Sequence, residues 1–259
     1  MTELKGRVAL VTGAGRGIGR AVSLALADAG ASVVVTARSE DELQDVVQEI
    51  VNAGGQAASL TVDLSVREQS CALSDKVSEV FGPIDILVNN AGVGSSGDPR
   101  PLTAFRDEYW DLSLEVNLTA PYVLSRSVLP HMIEQGWGRI ITVASINGRR
   151  PAEHAAAYTA SKHGVIGLMR AIALEVSRLG VTVNCICPGP VKTRMNDLRV
   201  EYDADRLGRD FTEHEQALTL VGGRLVPQDI APMAVYLAGD QARMITGQAY
   251  NIDGGIHMA

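Results

Sequence analysis

The sequence has few cysteines, few aromatic residues and no surplus of positive charge. Its 259 residues include three cysteines, and aromatic side chains make up 4% of the chain. A low, odd cysteine count excludes a disulfide framework and favours a reducing, cytoplasmic setting. Lysine and arginine number 23 against 30 acidic residues, which gives a formal net charge of −7. Because a nucleic-acid binder needs basic residues to displace counterions from phosphates, we expect no nucleic-acid partner.

Long hydrophobic runs and internal repeats are also missing from the sequence. No segment approaches the roughly 18 consecutive apolar residues of a membrane span. The apolar run at residues 8–11 is short and lacks a cleavage-site pattern, so it is not typical of a signal peptide. Hydrophobic residues still make up 46% of the chain, which is enough for a large core. We expect a cytoplasmic globular protein with no membrane partner.

Short apolar runs alternate with helical patterns along the chain. The runs typical of buried strands are 8–12, 32–36, 57–62, 84–88, 139–144, 181–187 and 248–252. The segments with helical spacing are 18–29, 39–53, 72–81, 112–134 and 156–179, the second opened by a capping box of Ser39 and Glu42. Such alternation predicts an α/β fold: a single doubly wound Rossmann-type domain over residues 1–259, with about seven parallel strands and helices on both faces.

Residues 188–223 are the least regular part of this predicted domain. Between residues 197 and 215 they carry seven acidic residues and three arginines. A long irregular insertion in a compact domain is frequently a lid or a binding loop. We therefore expect a substrate-binding loop over 188–223, and a solvated surface excursion is the alternative.

The glycine-rich sequence TGAGRGIG, residues 12–19, lies between the first predicted strand and the first predicted helix. Gly13, Gly17 and Gly19 allow a tight turn and a close approach of the backbone, and the helix N-terminus presents free N–H groups to a pyrophosphate. In that context the loop predicts a dinucleotide site, whereas alone it would indicate only a tight turn.

The residue type at the end of the second predicted strand distinguishes a site for NAD(H) from a site for NADP(H). An acidic residue there binds a ribose 2′-hydroxyl, while an arginine accommodates a 2′-phosphate. The segment has Arg38 and no acid before Glu40, and Arg16 in the glycine loop is a second cation within reach. The two arginines favour NADP(H) over NAD(H), although each could also be a solvated surface charge.

Tyr158 and Lys162 lie four residues apart on a predicted helix, and therefore on one face of it. A nearby ammonium favours a phenolate and lowers the pKa of a tyrosine, which suits acid–base work near neutral pH. Ser145 follows the strand predicted at 139–144, at the edge of the sheet where ligands of open α/β folds bind. A surface pair of helix residues is the alternative for Tyr158 and Lys162 taken alone.

Several motifs in a fixed order connect these residues. They are TGAGRGIG at 12–19, Asp63-Leu64 after the third strand, NNAG at 89–92, Asn117, Ser145, Tyr158 with Lys162, and PGPVKT at 188–193. Over about residues 6–255 the chain resembles the short-chain dehydrogenase/reductase family, in particular its compact one-domain members. Within the family it is similar to 3-oxoacyl-acyl-carrier-protein reductases and to aromatic polyketide ketoreductases.

The resemblance implies roles for four catalytic residues. Tyr158 is expected to be the acid/base, and Ser145 to hydrogen-bond the substrate oxygen and stabilise charge developing there. Lys162 is expected to lower the pKa of Tyr158 and to hold the nicotinamide ribose. Asn117 is expected to anchor a water molecule that links Lys162 to solvent.

The resemblance also implies the contacts of the cofactor. Asp63, with Leu64, is expected at the adenine and Asn90 near the adenine-side ribose, while Asn89 ties neighbouring strands together. Val191 and Thr193 are expected to hold the nicotinamide carboxamide. The remaining expected cofactor-binding residues are Gly13, Arg16, Gly17, Ile18, Gly19, Arg38, Tyr158 and Lys162.

The expected function is that of an NADP(H)-dependent oxidoreductase that interconverts a small-molecule ketone and a secondary alcohol by hydride transfer. A 3-oxoacyl-acyl-carrier-protein or -CoA reductase and a sugar or polyol dehydrogenase using NAD(H) are alternatives. A catalytically silent, cofactor-binding regulator is the alternative from another class. It is disfavoured because such proteins typically lose the tyrosine or the lysine, and Tyr158 and Lys162 are both present.

The substrate and the assembly are less well defined by the sequence. The two positions where acyl-carrier-protein reductases typically carry basic residues are Gly136 and Leu179, although Arg178 could substitute. Arg149 and Arg150 form either an anion clamp or, as we favour, a solvated loop or subunit contact. The family resemblance implies a homotetramer.

No metal site is expected. Cys185 and Cys187 alternate along a strand, so that burial on one face is favoured over metal binding, and the histidines are scattered.

Overall fold

A computed structural model of the chain describes residues 3–258. Within these residues seven strands form one parallel sheet in the order β3-β2-β1-β4-β5-β6-β7. The strands are β1 (Val8–Thr12), β2 (Ser32–Ala37), β3 (Gln56–Thr61), β4 (Ile86–Asn89), β5 (Gly138–Val143), β6 (Val181–Pro188) and β7 (Ala249–Ile252). Each neighbouring pair is parallel, as the alternating pattern predicts.

Helices cover both faces of the sheet. They are α1 (Gly17–Asp28), α2 (Glu40–Asn52), α3 (Arg67–Phe81), α4 (Asp107–Leu114), α5 (Ala120–Gln135), α6 (Ala156–Val176), α7 (Arg194–Leu207), α8 (Phe211–Gln216) and α9 (Pro227–Ala238). Helices α1, α2 and α9 contribute to the hydrophobic core on one face, and α3, α5 and α6 to the core on the other. The predicted doubly wound Rossmann-type domain is confirmed.

The strand order reverses at β1, which pairs with β2 on one side and with β4 on the other. A crevice opens at such a reversal, outside the carboxyl ends of the strands, because the connections there leave in opposite directions. The ends of β1, β4 and β5 therefore meet at one place, and the loops that follow them build the site.

The helix predicted over 112–134 is interrupted. A π-helical turn, Glu115–Thr119, separates α4 from α5. Pro121 follows this turn and has no N–H to donate to the carbonyl of Asn117, so the regular α-helical ladder cannot continue there. The interruption places Asn117 in the π turn, where its side chain is buried.

The predicted capping box at the start of α2 is wrong. Ser39 is the N-cap residue, but its side chain makes no capping hydrogen bond. The carboxylate of Glu42 instead accepts a hydrogen bond at 2.9 Å from Arg16, in the glycine-rich loop. An ion pair with a neighbouring loop replaces the local contact that the spacing of the two residues predicts.

The segment 188–223, predicted to be irregular, contains α7 and α8. Thr193 caps α7 through the N–H of Asn196, and Asp210 caps α8 through the N–H groups of Thr212 and Glu213. Only Val200 and Ala204 of α7 are buried, so the helix lacks a strong apolar stripe for a sequence pattern to detect.

Two smaller expectations are confirmed within the described residues. Asn89 of β4 donates a hydrogen bond to Thr142 of β5 at 3.4 Å, so that it ties neighbouring strands together. Cys185 and Cys187 are both buried in the same core cluster.

Candidate active site

A cleft of about 1320 Å³ opens at the carboxyl edge of the sheet, which exceeds the usual volume for one small ligand. The glycine-rich loop forms one end, and the loops after β4 and β5 together with α7 and α8 form the other. The cleft is lined by every predicted cofactor-binding residue: Gly13, Arg16, Gly17, Ile18, Gly19, Arg38, Asp63, Leu64, Asn90, Tyr158, Lys162, Val191 and Thr193. Ser145 lines it as well, whereas Asn117 is buried behind it.

The glycine-rich loop is shaped by backbone that only glycine adopts readily. Gly13 and Gly17 have φ angles of 63° and 56°, in the left-handed region. A Cβ atom on Gly19 would lie 2.3 Å from the carbonyl oxygen of Gly13. The turn can therefore close tightly only with the glycines that the sequence provides.

Asn90 braces this loop from the end of β4. Its amide nitrogen donates to the carbonyl oxygens of Thr12 and Gly13 at 2.8 and 3.1 Å. The Thr12 hydroxyl accepts the N–H groups of Asn90 and Ala91, both at 3.0 Å. The amide nitrogen of Asn90 is thus committed to the loop rather than free for a ribose hydroxyl. The bracing role of Thr12 was not anticipated, although its position just before the first glycine of the loop is the available signal.

The loop fits a pyrophosphate. Helix α1 begins at Gly17, and its first turn contains no acidic residue that would compete for the free N–H groups. Glycine is required for this tight turn, because a Cβ on Gly13 would lie 2.8 Å from the Ala91 Cα and one on Gly19 would lie 2.4 Å from the Asn90 amide nitrogen. An anion placed at these N–H groups would receive backbone hydrogen bonds and the favourable end of the helix dipole.

The end of β2 provides a cation beside this loop. Arg38 is exposed and makes no side-chain hydrogen bond or salt bridge to another residue of the range 3–258. Arg16, the second predicted cation, pairs with Glu42 instead. Of the two, Arg38 is the one available to a phosphate.

Asp63 stands at the adjoining wall of the cleft. Its carboxylate accepts hydrogen bonds from the N–H and the hydroxyl of Ser65 at 2.9 and 2.7 Å. Burial works in the opposite direction, but these bonds and the Arg38 guanidinium hold the pKa of Asp63 below its usual value. The group is therefore an anionic acceptor near the predicted adenine end.

Ser145, Tyr158 and Lys162 meet on the cleft floor. Ser145 directly follows β5, and its hydroxyl accepts the N–H of Asn147 at 3.1 Å. Tyr158 and Lys162 come from the first two turns of α6, with the Lys162 Nζ 5.7 Å from the centre of the Tyr158 ring. The Lys162 ammonium is buried and donates to the carbonyl oxygen of Val143 at 2.9 Å.

Burial dominates the protonation of this group. It lowers the pKa of Lys162 from 10.5 to about 8. It raises the pKa of Tyr158, and a hydrogen bond with Ser145 only partly opposes the effect. Burial rather than Lys162 dominates the pKa of Tyr158 in this structure, and the expectation that Lys162 lowers this pKa stays a prediction. Tyr158 is held as a neutral phenol at neutral pH, which makes it a proton donor.

Asn117 fastens the loop after β4 to α6. Its carbonyl oxygen accepts the N–H of Val93 at 2.8 Å, and its amide nitrogen donates to the Val93 carbonyl and to Ser161, both at 3.0 Å. These bonds hold the loop after β4 against α6 at Ser161, the residue before Lys162. The role of Asn117 in anchoring a relay water stays a prediction.

Thr193 and Val191 join the glycine-rich loop to the start of α7. The Thr193 hydroxyl donates to the Val191 carbonyl at 3.3 Å and accepts the N–H of Asn196 at the same distance. A Cβ on Gly17 would lie 3.1 Å from the Thr193 methyl group. The helix of the 188–223 segment is thus seated against the predicted cofactor site.

Arg149 and Arg150 differ in their surroundings. Arg149 donates to the Ala249 carbonyl and to the Asn251 side chain, at 3.0 and 3.1 Å, and so stabilises the end of β7. Arg150 is exposed and lines the cleft. An anion clamp built from both arginines is therefore excluded in this conformation.

Within residues 3–258 no group of three or more histidine, cysteine or acidic side chains is arranged to hold a metal ion. In the same range, no helix has the length and apolar character needed to cross a membrane.

Comparison with known proteins gives full-length matches. A family model described as short chain dehydrogenase matches residues 7–203. The 3-oxoacyl-acyl-carrier-protein reductase of Escherichia coli is 37% identical over 256 residues, covering 99% of both chains. The D-beta-hydroxybutyrate dehydrogenase of Rhizobium meliloti is 37% identical over 258 residues, covering 96% of this chain and 98% of its own.

Solved structures agree with these matches. A variant of actinorhodin polyketide ketoreductase with NADPH superposes with a TM-score of 0.92 at 38% identity, covering 99% of both chains. A 3-oxoacyl (acyl-carrier-protein) reductase from Agrobacterium tumefaciens with NADP bound has a TM-score of 0.89 at 32% identity, covering 98% of this chain and 95% of its own.

Replacing Gly19 with alanine is expected to weaken binding of NADPH and to lower the melting temperature. The new methyl group meets the Gly13 carbonyl and the Asn90 amide, so the turn must open, at a cost of about 1–3 kcal/mol. Fluorescence titration with NADPH and thermal unfolding measure the two effects. Gly167→Ala in α6 is the matched control, because its Cβ points into open space. Unchanged affinity in Gly19→Ala would contradict the proposed cradle.

Replacing Lys162 with methionine tests the burial of the ammonium. Between pH 8 and 10.5 the unfolded chain holds the lysine proton and the folded chain loses it, so the wild type gains stability as the pH rises. The free energy of unfolding of the wild type relative to Lys162→Met should rise by up to about 3 kcal/mol across this range. Urea denaturation at several pH values measures it. Lys76→Met on the exposed face of α3 should show no such trend, and a flat difference for Lys162→Met would contradict the account.

Proposed function

The chain belongs to the short-chain dehydrogenase/reductase family, and on that premise we propose that it is an NADP(H)-dependent reductase of a ketone with Tyr158 as the acid/base. The observation that carries this proposal is the meeting of Ser145, Tyr158 and Lys162 on the floor of the cleft that also contains the glycine cradle. When bound, NADPH supplies the hydride for the carbonyl carbon.

The protein's own contribution is to hold the carbonyl oxygen and to move one proton. The Ser145 hydroxyl, fixed by the N–H of Asn147, hydrogen-bonds the oxygen and stabilises the negative charge that develops on it. The neutral Tyr158 phenol then donates its proton to the same oxygen, which yields the secondary alcohol. In the reverse direction Tyr158 accepts the proton of the alcohol.

Reduction of a ketone consumes a proton, so the pH shifts the equilibrium of this reaction. A lower pH favours the alcohol, and a higher pH favours the ketone. The Tyr158 phenol, whose pKa is raised by burial, carries the proton that reduction requires. Lys162 contributes an ammonium whose pKa is about 8, placed between the Tyr158 ring and the Val143 carbonyl to hold the nicotinamide ribose.

Preference for NADP(H) is supported by Arg38. Its guanidinium is exposed at the end of β2, the position at which a fold of this type binds the 2′-phosphate of NADP(H). The structures of similar proteins bound to NADPH and to NADP support the same preference. Asp63 and Leu64 would then face the adenine, and Val191 and Thr193 the nicotinamide carboxamide.

Reduction of a 3-oxoacyl thioester is a second candidate, favoured by the ketoacyl reductases among the similar proteins. Against it, Gly136 and Leu179 carry no charge at the positions expected to bind a carrier protein, although Arg178 adjoins Leu179. A sugar or polyol dehydrogenase is supported in the same way by two similar solved structures that are described as putative gluconate dehydrogenases, at 38% and 31% identity. Residues 188–223 would serve as the substrate-binding lid through α7 and α8.

Assembly and location follow the family. We expect a homotetramer, and the exposed Leu174 of α6 and Tyr122 of α5 support an interface through these helices. A cytoplasmic location stays a prediction.

Replacing Tyr158 with phenylalanine should lower kcat for ketone reduction by at least about a hundredfold, because the proton donor is lost. NADPH affinity should stay unchanged, since the ring and Lys162 remain. Steady-state kinetics and fluorescence titration measure the two quantities. Tyr236→Phe, in α9 and outside the cleft, removes the same atom as a control. Near-normal kcat in Tyr158→Phe would end the proposal.

Replacing Arg38 with aspartate should lower kcat/KM for NADPH by about tenfold to a hundredfold, because a charge-assisted hydrogen bond to the 2′-phosphate is lost. The value for NADH should stay the same or rise. Arg243→Asp, at an exposed position away from the cleft, controls for the change in net charge. An unchanged ratio of NADPH to NADH in Arg38→Asp would remove Arg38 from the cofactor site.

A further inference from the structure

His214 of α8 is a buried imidazole without a hydrogen-bond partner. Its exposed fraction is 7%, and among residues 3–258 neither ring nitrogen has a partner. The same residue lines the cleft, as do Leu218 and Val200. The unpartnered side chain is therefore part of the wall that faces a bound substrate.

The helix that carries His214 is held firmly in place. The Asp210 carboxylate caps it, accepting the N–H groups of Thr212 and Glu213 at 2.8 and 3.1 Å. Arg224 joins it to α7, donating to Glu215 at 2.7 Å and to Asp197 at 2.6 Å. The position of His214 is thus set by capping and ion pairing on both sides of it, not by a loose loop.

A buried polar group without a partner is costly, because it has given up water and received nothing in return. A phenylalanine or leucine would fill the same space without that cost. Of the described residues, His214 is the one whose side chain has both nitrogens in this condition. A group of the bound ligand would supply the hydrogen-bond partner that the His214 imidazole lacks.

We propose that His214 is a specificity-determining residue that hydrogen-bonds an oxygen of the substrate remote from the reacting ketone. The proposal rests on the function proposed for the cleft and adds the chemical class of the substrate, a ketone with a second oxygen function such as a hydroxyl or carbonyl group. Both nitrogens lie below the cleft surface, so this hydrogen bond requires the ring to turn about its side-chain bonds when the substrate enters.

The class of partner follows from the chemistry of imidazole. A neutral imidazole donates through one nitrogen and accepts through the other, so it matches a hydroxyl group or a carbonyl oxygen. A ketone with a second oxygen function is therefore preferred to an alkyl ketone.

Paired substrates test the proposal. Methyl ketones that carry a terminal hydroxyl, in a series of chain lengths, are compared with the unsubstituted ketones of the same lengths. In His214→Phe, kcat/KM for the best hydroxylated ketone should fall by about tenfold or more, as for a lost hydrogen bond, while the value for its unsubstituted partner stays the same. His214→Gln, which keeps a donor and an acceptor, should restore part of the preference. An equal change for both members of each pair would overturn the proposal.

A binding measurement decides the question without turnover. With saturating NADP⁺, the corresponding diols should raise the melting temperature of the wild type more than the mono-alcohols do, and His214→Phe should abolish the difference. If the wild type reduces no ketone, the proposed function fails, while the diol preference still decides the role of His214. Absence of a diol preference in the wild type, or failure of both variants to fold, would overturn the role of His214 and leave the proposed reaction to its own tests.

Discussion

The hydrogen bonds that join the end of β1 to the end of β4 set the position of the rest of the site. Thr12 and Asn90 hold the glycine turn closed, and β1 lies where the strand order reverses. The turn fixes the start of α1, and Gly17 lies so near Thr193 at the start of α7 that a Cβ on it would come within 3.1 Å of the Thr193 methyl group. The anion cradle and the far wall of the cleft are therefore positioned by one small network.

Desolvation decides the chemistry on the cleft floor. The same burial that raises the pKa of Tyr158 lowers that of Lys162, so the two values, which lie close together in water, move apart. An exposed pair at the same helical spacing would behave as an ordinary tyrosine and lysine. The buried pair provides a neutral proton donor beside an ammonium that titrates close to neutral pH, which is the arrangement a ketone reductase needs.

Features of the fold and the site that arise from local sequence patterns could be predicted, whereas features that depend on the whole folded structure could not. The glycine loop and Ser145 each directly follow a buried strand, and Tyr158 and Lys162 share one face of a helix. These patterns are local in the sequence, so both the fold and these residues of the cleft could be predicted. Helices α7 and α8 could not, because caps and the ion pairs of Arg224 stabilise them rather than an apolar stripe. The effect of burial on the pKa of Tyr158 could not be predicted because desolvation depends on the whole fold, and a single histidine such as His214 carries no sequence pattern.

The most direct test of hydride transfer from NADPH to a ketone follows a deuterium label. NADPH labelled with deuterium at the transferring position is incubated with the protein and a ketone, and the alcohol is examined by mass spectrometry and NMR. The account predicts one deuterium per product molecule, on the carbinol carbon and of one stereochemistry. Oxidation of NADPH without deuterium in the product, or no oxidation with any ketone of a broad panel, would contradict it.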